Sequence, residues 1–207
     1  MSASAAVFGE GSVVQDISFE QLLTLGETTP ISATATVKSP GALEFVVETH
    51  DDGDAAKRAA AVLGLGVEVD TPVAYDLAAL RAEHPHRAEG DDLRESSVLA
   101  EVSLPREVRA QQGSYIVHPA LLDACFQSVI ALPDVQAASK NALPLPKGVR
   151  SLHAYQSARS TQYCYTRVTK VIGNEVEADI DLLDENGGIV LAVRGFRFGT
   201  GASDDEQ

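Results

Sequence analysis

The chain has no tryptophan, one methionine and two cysteines, and its 16 basic residues are outnumbered by 30 acidic ones. Each shortage narrows the field. With aromatics at 5% of 207 residues, an aromatic-lined platform for bases is disfavoured. A formal charge of −14 argues against nucleic acid, whose phosphates such a surface repels, and against an anionic membrane. Acidity alone names no partner; it speaks to solubility. Cys125 and Cys164 lack CxxC or Cys/His spacing, so they read as buried free thiols and not as zinc ligands. No run of 18 apolar residues is present, so no transmembrane helix is expected. The opening MSASAAVFGEGS has neither a basic region nor a long apolar run and does not read as a secretory signal, which points to the cytoplasm. What the chain does have is apolar residues, at 44%, enough for a sizeable core.

Two halves are legible. In the first, Ser12–Leu25 reads as a strand with a short continuation. Ile31–Lys38 (ISATATVK) alternates with period two, as a half-buried strand does, and Ser39-Pro40-Gly41 turns it into a second strand, Ala42–His50. Ala55–Gly66 is ambiguous: AAKRAAAVL holds strong helix formers where a further strand would complete a sheet, and the reading favours a strand near Val62–Val69. Asp76 caps a short helix, Leu77–Glu83, ahead of Pro85. Residues 84–96 then read as a solvated linker, with His84 and His86 in water.

The second half opens with a strand, Ser97–Leu104. Pro119 suits the first turn of a helix, because the N–H it lacks would have no partner there. That helix runs through ALLDACFQSVIAL to about Pro133, apolar nearly all round, so burial on most faces is expected. Strands follow at 148–154, 163–171 and 175–183, and Asn186-Gly187 turns the last of these into a fourth at 189–198. A strand, a buried helix and an antiparallel meander make an α+β hotdog arrangement, a sheet curled around one long helix. Residues 1–83 are then a partial first hotdog half with its central helix mostly missing, 84–96 the linker, 97–200 the second half, and 201–207 a disordered tail.

Asp123 is the residue with chemistry in it. A carboxylate in an apolar helix costs several kcal/mol if ionised and unpaired, an order-of-magnitude figure, so burial there would favour the neutral acid. A neutral acid in an apolar pocket is what proton donation needs. Gln127 lies one turn later on the same face, where its amide can orient the carboxyl. A polar stripe of Asp123 and Gln127 facing solvent fits the same spacing, and the residues alone leave both readings open. Gly64-Leu65-Gly66 lacks the rest of a dinucleotide fingerprint, and Asp51, Asp52 and Asp54 lack the spacing of a calcium loop.

The segment HPALLDACFQ resembles the motif that opens the second hotdog helix in dehydratase domains of modular type I polyketide synthases. LPLPKGVRSLHAY, VEADIDLLDENGGIVLAVRGFRF, and the upstream VVQDISFEQLLTL, ISATATV and ALEFVVET resemble neighbouring strands of that family, so the likeness spans most of residues 7–198. It implies an incomplete double hotdog, and dehydration of a 3-hydroxyacyl group on an acyl carrier protein to the 2-enoyl thioester. It implies Asp123 as general acid and Gln127 as its orienting partner, with His118 and Pro119 as substrate-binding members of the motif. Leu122, Cys125 and Phe126 are expected in the core. No cofactor of its own is implied: the substrate comes on the phosphopantetheine arm of the carrier, and the partners are that carrier and neighbouring synthase domains, with a homodimer left open. Lys140, Lys147, Arg150, Arg159 and Arg167 could meet the acidic carrier, or form an ordinary charged surface.

Two family features have no match. The family's catalytic His lies in a His-x-x-x-Gly-x-x-x-x-Pro motif, and none of His50, His84, His86, His118 or His153 sits in such a pattern. A Tyr-Gly-Pro-x-Phe segment normally precedes the strand equivalent to Ser97–Leu104 and is not in GDDLRESSVLAEVSL. The expectation is therefore a dehydratase fragment inactive alone, the alternative a non-catalytic double-hotdog scaffold or dimerisation remnant in a megasynthase.

Overall fold

A computed structural model describes residues 12–21, 28–51, 54–65, 72–84, 97–132, 135 and 144–200. Nine strands form one antiparallel sheet: β1 (Ser12–Phe19), β2 (Ile31–Ser39), β3 (Ala42–Asp51), β4 (Asp54–Leu65), β5 (Ser97–Glu101), β6 (Pro144–Ala154), β7 (Tyr163–Ile172), β8 (Glu175–Leu183) and β9 (Ile189–Thr200). Their order is β2-β3-β4-β1-β6-β9-β8-β7-β5, so the two halves of the chain meet where β1 pairs with β6. Helices among the described residues include α1 (Leu77–Glu83), α2 (Arg106–Arg109) and α3 (Pro119–Gln127), the last continued by a 3-10 turn, Ser128–Ala131. Among the described residues no helix is long and apolar enough to cross a membrane.

The ambiguous segment is strand as far as Leu65. β4 runs from Asp54, earlier than expected, and is paired on both sides, with β3 and with β1. Two ladders outweigh the helix propensity of its alanines, which is worth only tenths of a kcal/mol per residue. The continuation to Val69 lies outside the described residues, as do the segment before Ser12, most of the linker and the tail. β2 has the expected period but not the expected burial. Its apolar row, Ile31, Ala33, Ala35 and Val37, is in register with Thr49, Val47, Phe45 and Leu43 of β3, yet Ile31 is 52% and Val37 74% exposed.

The second half holds the main core. Leu121, Cys125 and Val129 pack on Val149, Ala178, Ile180, Val193 and Phe196 across one face of β6–β9. The opposite face is covered by residues 75–80. There Leu80 packs with Tyr163, Tyr165, Leu183 and Ile189. Asp76 caps α1 as expected, accepting from the N–H groups of Ala78 and Ala79. The turn between β8 and β9 fits against this segment. Tyr75 N–H donates to Gly187 O at 2.9 Å, and a Cβ on Gly187 (φ +84°) would meet Tyr75 O at 2.1 Å, so only glycine serves.

Three expectations need correction. α3 is not buried on most faces: Leu121 and Cys125 are buried, whereas Asp123, Ala124 and Gln127 are exposed. Its apolar letters count towards a core only on the stripe that meets the sheet. The strand expected to run to Leu104 ends at Glu101. His84 is not a solvated linker residue. It is partly buried, its Nδ1 2.7 Å from Leu80 O and its Nε2 2.9 Å from Ser97 Oγ, with the ring edge-on to Tyr165.

Candidate active site

Helix α3 begins where expected. His118 is its N-cap in extended conformation, Pro119 its first residue, and His118 Nδ1 accepts from Ala120 N–H at 3.2 Å. The other end is held by Ser128, whose Oγ donates to Cys125 O at 2.6 Å and lies 2.7 Å from Thr166 Oγ1 on β7. Between them Phe126 stacks on Phe196 of β9, centroids 4.3 Å apart at 10°. These contacts leave the Asp123–Gln127 edge of the helix turned away from the sheet. Gln127 Nε2 donates to Asp123 Oδ2 at 2.7 Å, the one-turn geometry expected from their spacing.

Asp123 borders a cleft of about 840 Å³ at the meeting of the two halves. On one side stand Phe19 and Gln21 from the end of β1, Val47 of β3, and Arg58 and Ala59 of β4; on the other stand Pro119, Leu122, Asp123 and Phe126. Leu145, Pro146 and Lys147 of β6 join them. β1 is bulged on its way to the cleft. Asp16 takes φ +48°, and the register with β4 shifts between Gln15 and Ser18. The lining is mostly apolar with a few polar groups, the make-up of a small-molecule site. The enclosed carboxyl expected from the sequence is not found: Asp123 is exposed at the cleft's edge, as the solvent-facing alternative has it, while Leu122 and Phe126 line the cleft as well as packing on the core. Cys125 stays in the core with no exposure.

The other candidates separate. Pro119 borders the cleft; His118 is buried at its N-cap position with Nε2 unpartnered among the described residues. Among the described residues no histidine lines the cleft. His50 bonds Ser32 Oγ at 2.8 Å in the first half, and His153 lies beside Tyr155 on β6, where burial lowers its pKa. Three of the basic residues already have carboxylates: Lys147 with Glu175 at 2.6 Å, Arg150 with Glu177 at 3.3 Å and Arg167 with Asp181 at 3.4 Å. Lys140 lies outside the described residues. Among the described residues no group of acidic, His or Cys side chains could hold a metal.

Sequence reasoning passed over two groups. Arg58 donates to Thr49 Oγ1 (2.8 Å) and Gln21 Oε1 (3.1 Å), a cation fixed in the cleft wall facing α3. Asp181 of β8 is fully buried on the face away from the cleft, with Arg194 Nη2 2.7 Å from Oδ1. That oxygen receives no well-directed hydrogen bond, so the contact is one of charge. Asp181 falls in the polar row of EVEADIDLL with Glu175, Glu177 and Asp179, so period two alone marks it as solvent-facing and its burial carries no local signal.

The family described as polyketide synthase dehydratase N-terminal domain matches residues 89–206. The chain is similar to a phthioceranic/hydroxyphthioceranic acid synthase of Mycobacterium tuberculosis, 45% identical over 235 aligned positions that take in 100% of this chain and 11% of the relative. To a mycocerosic acid synthase-like polyketide synthase of Mycolicibacterium smegmatis the identity is 42%, over 99% of this chain and again 11% of the relative. The chain thus spans about a tenth of the length of these curated relatives. Among solved structures, the dehydratase domain of a mycocerosic acid synthase-like polyketide synthase superposes with a TM-score of 0.88 at 42% identity, covering 98% of this chain and 80% of that one. The dehydratase domain from the CurF module of curacin polyketide synthase gives 0.82 at 21%, over 96% and 80%, a likeness of fold alone.

Proposed function

The chain belongs to the dehydratase domains of modular polyketide synthases and has their hotdog fold, and on that premise we propose that it supplies the acid side of a site that removes water from a 3-hydroxyacyl thioester. Residues 1–83 and 97–200 are the two hotdog halves, joined through the β1–β6 pairing. The observation that carries the reading is the placement of the Asp123–Gln127 pair on the rim of an apolar cleft shared by both halves.

In the elimination a base takes the α-proton and that C–H pair becomes the new π bond. The C–O bond breaks, and the departing oxygen takes the proton of Asp123 and leaves as water. Gln127 holds the carboxyl so that its free oxygen faces the cleft. An acyl chain filling the cleft displaces water from around the acid, which strengthens each polar interaction there. The substrate arrives on the phosphopantetheine arm of an acyl carrier protein, the partner together with neighbouring synthase domains, in the cytoplasm.

With no histidine on the cleft among the described residues, the α-proton base must come from elsewhere, and the purified 207-residue chain is expected to show no turnover. The same observation favours a second reading, a non-catalytic scaffold within the multienzyme. The test is Asp123→Asn in the whole synthase, with 2-enoyl thioester followed by mass spectrometry. A loss of about 10²–10⁴-fold is expected; an unchanged rate overturns the assignment and leaves the scaffold.

A further inference from the structure

The residue that starts α3 is an uncommon choice. Ser, Thr, Asp and Asn are the usual N-caps, because each offers a compact acceptor to the first-turn N–H groups. Here the acceptor is a ring nitrogen. His118 Nδ1 receives Ala120 N–H at 3.2 Å, while the backbone oxygen of the same residue receives Leu121 N–H at 2.9 Å and Leu122 N–H at 3.1 Å. The residue is only 7% exposed, and its ring meets Tyr115 edge-on at 5.1 Å.

We propose that His118 is a positioning residue which, as the neutral tautomer protonated at Nε2, sets the first turn of α3 and thereby the direction in which Asp123 leaves the helix. The proposal rests on the reading of Asp123 as the acid. An imidazole nitrogen that accepts a hydrogen bond carries no proton, so the ring's single proton is on Nε2. The other tautomer, or a doubly protonated ring, would set a buried N–H against Ala120 N–H, donor against donor. Asp123 is four residues beyond Pro119, one turn from the cap, and each carbonyl of the first turn fixes the residue above it. The far end is held by Ser128 and Phe126. The near end depends on His118, because Pro119 contributes no N–H and Pro119 and Ala120 are both exposed.

The cap costs a buried Nε2–H with no acceptor among the described residues. The edge-on contact with Tyr115 holds the ring where Nδ1 faces the helix.

The test is nuclear magnetic resonance on the isotope-labelled 207-residue chain, which needs no turnover. Long-range proton–nitrogen correlations identify the protonated ring nitrogen of His118, expected to be Nε2. His118→Phe keeps the bulk and removes the acceptor; His118→Asn keeps an acceptor. In the Phe variant, Ala120 amide exchange is expected to rise about fivefold and the Asp123 carboxyl carbon resonance to move, with both recovering in the Asn variant. Protonation at Nδ1 in the parent chain overturns the proposal even if no variant folds. So does an Asp123 resonance that is the same in all three proteins. Failure here would leave the Asp123→Asn test standing, and an unchanged dehydration rate there would leave the tautomer result intact.

Discussion

The phenol of Tyr75 donates a hydrogen bond to Oδ2 of Asp181 at 2.8 Å, across 106 residues of sequence. It fastens the segment ahead of α1 to the centre of β8, over the outer face of the second half. Asp181 is fully buried and also answers Arg194 and Arg167. Tyr75→Phe removes one hydrogen bond to a charged group and should cost about 1–2 kcal/mol. Asp181→Ala takes the buried carboxylate away from the guanidiniums of Arg167 and Arg194. Because both are partly open to water, the expected loss is about 3 kcal/mol, the low end for a broken buried pair. Urea denaturation of the three proteins decides it; a loss under about 0.5 kcal/mol for Asp181→Ala would show the network to be idle.

Burial, then the charge of Asp181 and the hydrogen bond to it, push the Tyr75 pKa up to about 12. The unfolded phenol titrates near pH 10. Between pH 10 and 12 the unfolded chain therefore holds fewer protons than the folded one, and stability falls as pH rises. Below that window the contribution is fully present. Denaturation midpoints should drop over the alkaline window in the parent chain and drop less steeply in Tyr75→Phe. Parallel profiles would contradict the assignment.

Gln127 is exposed and its amide bonds the Asp123 carboxylate, so its replacement should affect orientation more than folding. Gln127→Ala in the whole synthase is expected to lower the dehydration rate about tenfold, within the range for misplaced groups, with the melting temperature of the isolated chain held within about 2 °C. Gln127→Glu should lower the rate likewise, since it removes the amide N–H that holds Asp123 Oδ2. Rates equal to the parent in both variants would remove Gln127 from the site.

Cys125 and Cys164 are both fully buried. The neighbouring Cys164 side chain and burial hold Cys125 far above the ordinary thiol range. Neither should react with a thiol-specific reagent in native buffer, and both should react in denaturant, at a rate that follows global unfolding. Fast labelling of either in the native chain would show α3 lifting off β7.

Much of this architecture could be read in advance because its causes are local. Asp76 caps α1, Pro119 opens α3, and the alternation in ISATATVK gives β2. The pairing of Asp123 with Gln127 also follows from helical spacing. What stayed hidden depends on distant partners. β4 is a strand because ladders close on both sides of it, which its alanines do not announce. Arg58, His84 and Asp181 each take partners from other elements. The burial of α3 was overstated because a count of apolar letters does not reveal which stripe meets the sheet.

The hydrogen bonds of β1 to β6 have a mechanical consequence. Arg58 and Asp123 stand on opposite banks of the cleft, and among the described residues the sheet beneath them is continuous through that single ladder. The gap between the banks is therefore governed by how far one seam flexes, and that seam carries the left-handed backbone of Asp16. A molecule wedged between the halves would be felt first as a change in amide exchange along that seam, well away from any side chain that touches it.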